Sequence, residues 1–102
     1  MYKEGLDVVV VNYRTPSLLK KFCDSYFFQE SKIDTELLVV DVDPDDATDD
    51  AVREFLPEYP FLMQYWPISY NCGYATACNF ASASAIHDTI AFFNADTELH
   101  AT

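Results

Sequence analysis

The stretch DVVVVNY, Asp7–Tyr13, decides the fold. Its valines run from Val8 to Val11 without a polar residue between them. A strand with no alternation has no face to give to water, so it reads as buried on both sides, inside a parallel sheet with helices above and below. The residues after Tyr13 agree with that reading. Thr15 is a good N-cap with Pro16 at the first helical position, and Leu18, Leu19, Phe22 and Tyr26 recur at helical spacing, which predicts a helix of about fifteen residues.

The pattern repeats outward from this unit. TELLVVDVD, Thr35–Asp43, is again an apolar run ending in acids and reads as the second strand. PDDATDDAVREFL packs acids into an opening helical turn, where they favour the helix dipole, and sets Val52, Phe55 and Leu56 on one face before Pro57. FLMQYW, Phe61–Trp66, predicts a shorter third strand closed by Pro67. The small-residue segment NCGYATACNFASASAIH, Asn71–His87, predicts a helix lying close to the sheet, with Tyr74, Cys78, Ala81 and Ala85 toward it. Thr89–Phe93 is the fourth strand. Strands alternating with helices specify one α/β domain over residues 1–102, with a mainly parallel sheet.

Composition bounds the function. Half of the 102 residues are hydrophobic and 16% aromatic, which is globular. Seventeen acids against six bases give a net charge of -11, and no basic cluster exceeds Lys20-Lys21, which argues against a nucleic-acid surface. Cys23, Cys72 and Cys78 have no metal-ligand spacing and read as reduced thiols, which fits a cytoplasmic protein. No apolar run approaches the length of a membrane span. RTPSLL carries neither GxGxxG nor GxxxxGK[ST], which disfavours a dinucleotide site and a P-loop. His87 and His100 are isolated in sequence and read as surface or core residues, and Ser82 and Ser84 read as helix packing.

The polar residues fall in one place. The first strand ends in Asn12 and Tyr13, the second in Asp41 and Asp43, the third leads to Asn71, and the fourth ends in Asn94 and Asp96. In open α/β sheets, ligands bind outside the carboxyl ends of the strands. Each residue alone has a plainer reading, as a loop aromatic, a helix cap or a turn acid. Their coincidence at successive strand ends points to a crevice.

Four segments in order resemble family 2 of the GT-A glycosyltransferases, in particular its rhamnosyltransferase-like branch. DVVVVNYRTPSLLKKFCDSY resembles the family's first strand and helix, and ELLVVDVDPDDATDD its VVVVDNGSTDGS segment. ISYNCGYATACNFA resembles N-x-G-[FY]-A-x-G-N-N, and IAFFNADTEL resembles [FL]LNPD-[TV]-x-L, the family's form of the DxD motif. The resemblance covers nearly the whole chain. It implies a Rossmann-like GT-A three-layer sandwich that transfers a sugar from a nucleoside-diphosphate sugar, with UDP or dTDP as the nucleotide, to an acceptor hydroxyl.

Site roles come with the resemblance, residue by residue. Asp41 would accept a hydrogen bond from the base, Tyr13 would pack beside it, and Val11 and Asn12 would add contacts. Asp96 would hold Mg²⁺ or Mn²⁺ at the diphosphate, with Asn94 at the first position of the motif. Asn71 and Gly73 would shape the loop near diphosphate or sugar, and Asn79 would contact the donor from the following helix. Val42, the DPDD turn and Cys78 depart from the family's usual asparagine, glycine- and serine-rich turn, and glycine. The family's catalytic base belongs to an acceptor-binding half expected after the metal motif, so no catalytic residue is assigned among these 102. Two other readings stay open, a binding-only module that holds a nucleotide sugar without transferring it and an interaction module. In the latter an exposed sheet edge pairs with a partner or a second copy.

Overall fold

A computed structural model of the chain describes residues 3–28 and 34–97. His100 lies outside them. The elements are β1 (Lys3–Asn12), α1 (Pro16–Phe27), β2 (Thr35–Val42), α2 (Asp46–Phe55), a 3-10 turn (Leu56–Glu58), β3 (Met63–Ile68), α3 (Tyr74–Ala83) and β4 (His87–Asn94).

All strand pairs are parallel and the sheet order is β3-β2-β1-β4. The chain winds outward from β1 to β3, then returns to place β4 on β1's other side. Strand order therefore reverses at the gap between β1 and β4, the position where open α/β sheets hold ligands.

Burial on both faces of β1 and β2 explains their unbroken apolar runs. On one face Val8, Val10, Leu37 and Val39 pack against Leu19, Phe22 and Cys23 of α1 and Val52 of α2. On the other, Val9, Val11, Leu38, Val40 and Val42 pack against Ala77 and Ala81 of α3. The result is the three-layer α/β sandwich expected, with two helices on one face and one on the other. The alanines let the α3 backbone approach the sheet closely. Burial pushes the Cys23 thiol up to about 12, so this cysteine behaves as a small apolar residue.

Several boundaries differ from the sequence reading. Pro67 does not close β3 but sits within it, paired with Asp41 in register. Among the described residues β3 is an edge strand, and an edge tolerates a residue without an N–H. Thr15 occupies the N-cap position of α1 without making the capping bond; its hydroxyl is donated back to Asn12 Oδ1 at 2.6 Å. α1 ends at Phe27, with Phe28 as its C-cap, so its 12 residues fall short of the helix of about fifteen that the sequence suggested. α3 is shorter than Asn71–His87 at both ends. Gly73, at φ +82°, precedes it in a conformation no helix contains. His87 belongs to β4, where its N–H is donated to Asp7 Oδ2. Tyr74 is exposed rather than turned to the sheet.

Phe22 is fully buried and its ring lies 5.6 Å from that of Phe93, whereas Phe92 is 41% exposed. Phe22→Ala is expected to cost about 3–5 kcal/mol in urea unfolding, and Phe92→Ala less than about 1 kcal/mol. Similar costs for both would contradict the core assignment.

Candidate functional site

The site is built at the carboxyl ends of β1, β2 and β4, the loop after β3 and the amino end of α3. There a cleft of about 400 Å³ is lined by Val11, Tyr13, Asn71, Gly73, Asn94 and Asp96 among others. These are six of the nine residues that the sequence pointed to. The remaining three, Asn12, Asp41 and Asn79, do not line it. Asn79 is exposed on α3, and Asn12 and Asp41 are 0% exposed beneath the cleft.

Each wall has a local cause. After β1 the chain turns through Arg14 at φ 52°, and after β2 through Asp43 at φ 46°, both in the left-handed region uncommon for side chains other than glycine. The two strained turns hold one another. Arg14 donates through Nε to Asp43 O at 2.9 Å and through a terminal guanidinium nitrogen to Asp43 Oδ2 at 3.2 Å. The Asp43 N–H is donated to Ile68 O at 2.7 Å, which ties in the end of β3. Arg14 also lies 5.6 Å from the centre of the Tyr13 ring, so the guanidinium backs an aromatic that is 48% exposed to the cleft.

β4 ends in the asparagine-to-aspartate turn. The Ala95 N–H is donated to Val11 O at 3.0 Å and that of Thr97 to Asn94 O at 3.0 Å, so the chain turns back with Ala95 buried while Asn94 and Asp96 are exposed. A strand that ends by presenting a carboxylate thus has a structural reason. The buried alanine anchors the turn and its polar neighbours flank the cleft. Among the described residues the Asp96 carboxylate has neither hydrogen-bond nor ion-pair partner. Opposite, Gly73 starts α3 with open space where a Cβ would be, so its backbone angle rather than crowding demands glycine.

Beneath the cleft runs a hydrogen-bonded chain. Thr15 donates to Asn12, and Asn12 Nδ2 donates to Asp41 Oδ1 at 3.0 Å. Tyr65 OH lies 2.6 Å from Asp41 Oδ2 and 3.1 Å from Asp49 Oδ1. One phenolic proton serves one acceptor at a time, and the shorter distance gives it to Asp41. Asp49 is held instead by Arg53, which keeps its carboxyl below the usual range. Burial raises the Asp41 carboxyl above its usual range, against the lowering effect of the Tyr65 and Asn12 hydrogen bonds. Asp41 thus spans β1, β2 and β3 with no surface of its own. Sequence reading passed over Tyr65, for which nothing but its place opposite Val39 in the register could have spoken.

The family profile described as "Glycosyl transferase family 2" matches residues 7–102. The chain belongs to glycosyl transferase family 2. Solved structures agree in fold. The mannosyltransferase PcManGT from Pyrobaculum calidifontis, in complex with GDP-Man and Mn2+, superposes with a TM-score of 0.85 at 25% identity, covering 99% of this chain and 30% of that one. S. aureus TarS superposes at 0.74 with 21% identity over 90% of this chain and 16% of TarS, and its fragment 1–349 at 0.76 with 21% identity, over 90% of this chain and 27% of the fragment. No curated protein matches. This family-2 chain spans less than a third of each of these solved chains. No helix among the described residues is long and apolar enough to cross a membrane.

The sign of the Asp41 effect is testable. A carboxyl whose folded pKa is raised contributes most stability below its unfolded value near 3.8, and that contribution is lost as pH rises through the folded pKa. Asp41→Asn removes the titration and keeps the shape. The variant's stability relative to the native protein is expected to improve as pH rises from about 4, with a slope of at most about 1.4 kcal/mol per pH unit in urea unfolding. A gap that is constant with pH would contradict it.

Proposed function

We propose that this domain binds the nucleoside-diphosphate sugar of a family-2 glycosyl transfer in the cleft at the β1/β4 switch point, with a divalent cation at Asp96. The observation that carries the reading is convergence. Tyr13 after β1, Asn71 and Gly73 after β3, and Asn94 and Asp96 at the end of β4 converge from three strand ends to line one cleft. The similar mannosyltransferase holds GDP-Man and Mn2+, which supports a nucleotide sugar and a hard cation as ligands.

The parts fit such a ligand in kind. Tyr13, backed by Arg14, offers a flat face for a base or ribose. Asp96 has a carboxylate unengaged among the described residues, and Asn94 beside it adds an amide oxygen, the hard donors that Mg²⁺ or Mn²⁺ takes. The cation would neutralise charge developing on a departing diphosphate. The amino end of α3 opens on the cleft at Gly73 and Tyr74, where unpaired N–H groups and the helix dipole favour an anion. A chain this acidic would otherwise repel a diphosphate, so the cation and helix end together make the site usable.

Asp41 and Asn12 take a positioning role in this reading. Their hydrogen bonds set the ends of β1 and β2 relative to β3, and through Val11 and Tyr13 they fix the cleft's shape. Val42, which lines the cleft where the family usually has asparagine, makes that wall apolar. The reaction is transfer of the sugar to an acceptor hydroxyl, with UDP, dTDP and GDP as the donor nucleotides to compare.

Calorimetric titration of these nucleotides in Mn²⁺ tests the proposal. Binding by at least one is expected, weakened more than about tenfold, or about 1.4 kcal/mol, by EDTA and by Asp96→Ala. A folded protein that binds none of them, or an Asp96→Ala variant that binds as tightly as the native chain, would overturn it.

A further inference from the structure

At the opposite end of the sheet from the cleft lies a second polar cluster. Glu36 and His87 stand at the amino ends of β2 and β4, beside Asp7 in the middle of β1, and Asp7, Glu36 and His87 are 0%, 3% and 3% exposed. Asp7 and Glu36 are direct partners in the parallel register, so their side chains leave the sheet on the same face. One ligand atom from each of the three residues falls within 4.8 Å of the others.

Most of the cluster is tightly held. Asp7 Oδ2 accepts the N–H groups of Ile86 and His87 at 2.9 Å each, and Asp7 Oδ1 lies 2.9 Å from His87 Nδ1. Gln64 Nε2 donates to Glu36 Oε1 at 2.8 Å. Gly5, at φ +147°, makes room for the imidazole, since a Cβ there would collide with His87 Cδ2 and Asp34 O. One atom is left over. Among the described residues, Glu36 Oε2 is buried with no hydrogen-bond partner.

An unpartnered buried carboxylate oxygen is costly to leave unsatisfied, and two buried carboxylates facing one imidazole leave negative charge uncompensated. Among the described side chains no lysine or arginine forms an ion pair with Asp7 or Glu36. A bound dication would satisfy the oxygen and balance the charge at once.

We propose that Asp7, Glu36 and His87 form a buried divalent-cation site, suited to Zn²⁺, that clamps the amino ends of β2 and β4 to β1. One imidazole nitrogen with carboxylate oxygens is a donor set that Zn²⁺ accepts, and a water or the second Glu36 oxygen completes four-coordination. With Zn–N and Zn–O bonds of about 2.0–2.2 Å, tetrahedral ligand atoms sit roughly 3.4 Å apart, so the cluster needs only side-chain adjustment to close on the ion. The ion displaces any proton carried by the liganding imidazole nitrogen or carboxylates. The site is separate from Asp96, which stands after the carboxyl end of β4.

The test uses the Asp96→Ala protein, so that the cleft contributes no cation, stripped with chelator and titrated with Zn²⁺. The NMR signals of the two histidine rings are followed together with bound metal. One Zn²⁺ per chain is expected, with the His87 ring shifted, the His100 ring unmoved and the melting temperature raised. Glu36→Gln, which keeps the shape and the Gln64 contact but removes a charged ligand oxygen, is expected to weaken binding by at least the roughly 10-fold that losing an outer-shell partner costs. No Zn²⁺ uptake by the folded protein would overturn the proposal. So would uptake that leaves the His87 ring unmoved, as thiolates of Cys72 or Cys78 would produce, or unchanged affinity in a folded Glu36→Gln. Should Glu36→Gln fail to fold, the response of the His87 ring decides alone.

Discussion

The placement of β1 between β2 and β4, parallel to both, is the constraint on which the rest depends. Parallel pairing brings all carboxyl ends to one side of the sheet and all amino ends to the other. The return of the chain to β1's free edge then opens the cleft between the β1 and β4 loops. Neither the turn of Ala95 against Val11 nor the meeting of Tyr13 and Asp96 in one cleft could form in a sheet of simple sequential order. Because β1 must be buried on both faces and both edges, its apolar run is a topological requirement. The polar residues that flank the valine run, Asp7 and Asn12, are each fully buried and each engaged by neighbouring strands.

Polar residues in this fold divide into those that hold and those that present. Asn12, Asp41 and Tyr65 hold. They tie three strand ends together at the cost of burying a carboxyl, and the hydrogen bonds offset part of that cost. Tyr13, Asn94 and Asp96 present, on turns whose backbone is pinned by Arg14–Asp43 and by Ala95. Rigid support below and unengaged donors and acceptors above is the arrangement a binding site needs, since ordering the site then costs little when ligand arrives.

The layer order and nearly every element were legible in the sequence because hydrophobic periodicity differs sharply between a doubly buried strand and an amphipathic helix. Cleft residues were legible for a related reason, as polar residues interrupting apolar runs at strand ends. What sequence could not show was direction. Asp41 and Asp96 look alike as acids at strand ends, yet one sits within a strand, sealed beneath Tyr65, and the other is exposed on the turn after β4. His87 looked isolated because its partner Asp7 is 80 residues away in the chain. Pro67 misled because its effect depends on whether the strand has a neighbour on that side.

The central claim is that the carboxyl-end cleft is the donor site. The most direct measurement maps amide chemical shifts in Mg²⁺-saturated protein as a nucleoside diphosphate is added, so that nucleotide is the sole variable. The account predicts shifts concentrated at Tyr13, Gly73 and Asn94–Thr97, fading toward the amino ends of the strands. Shifts centred on Asp7, Glu36 and His87, or on the exposed edge of β3, with the cleft amides unmoved, would contradict it.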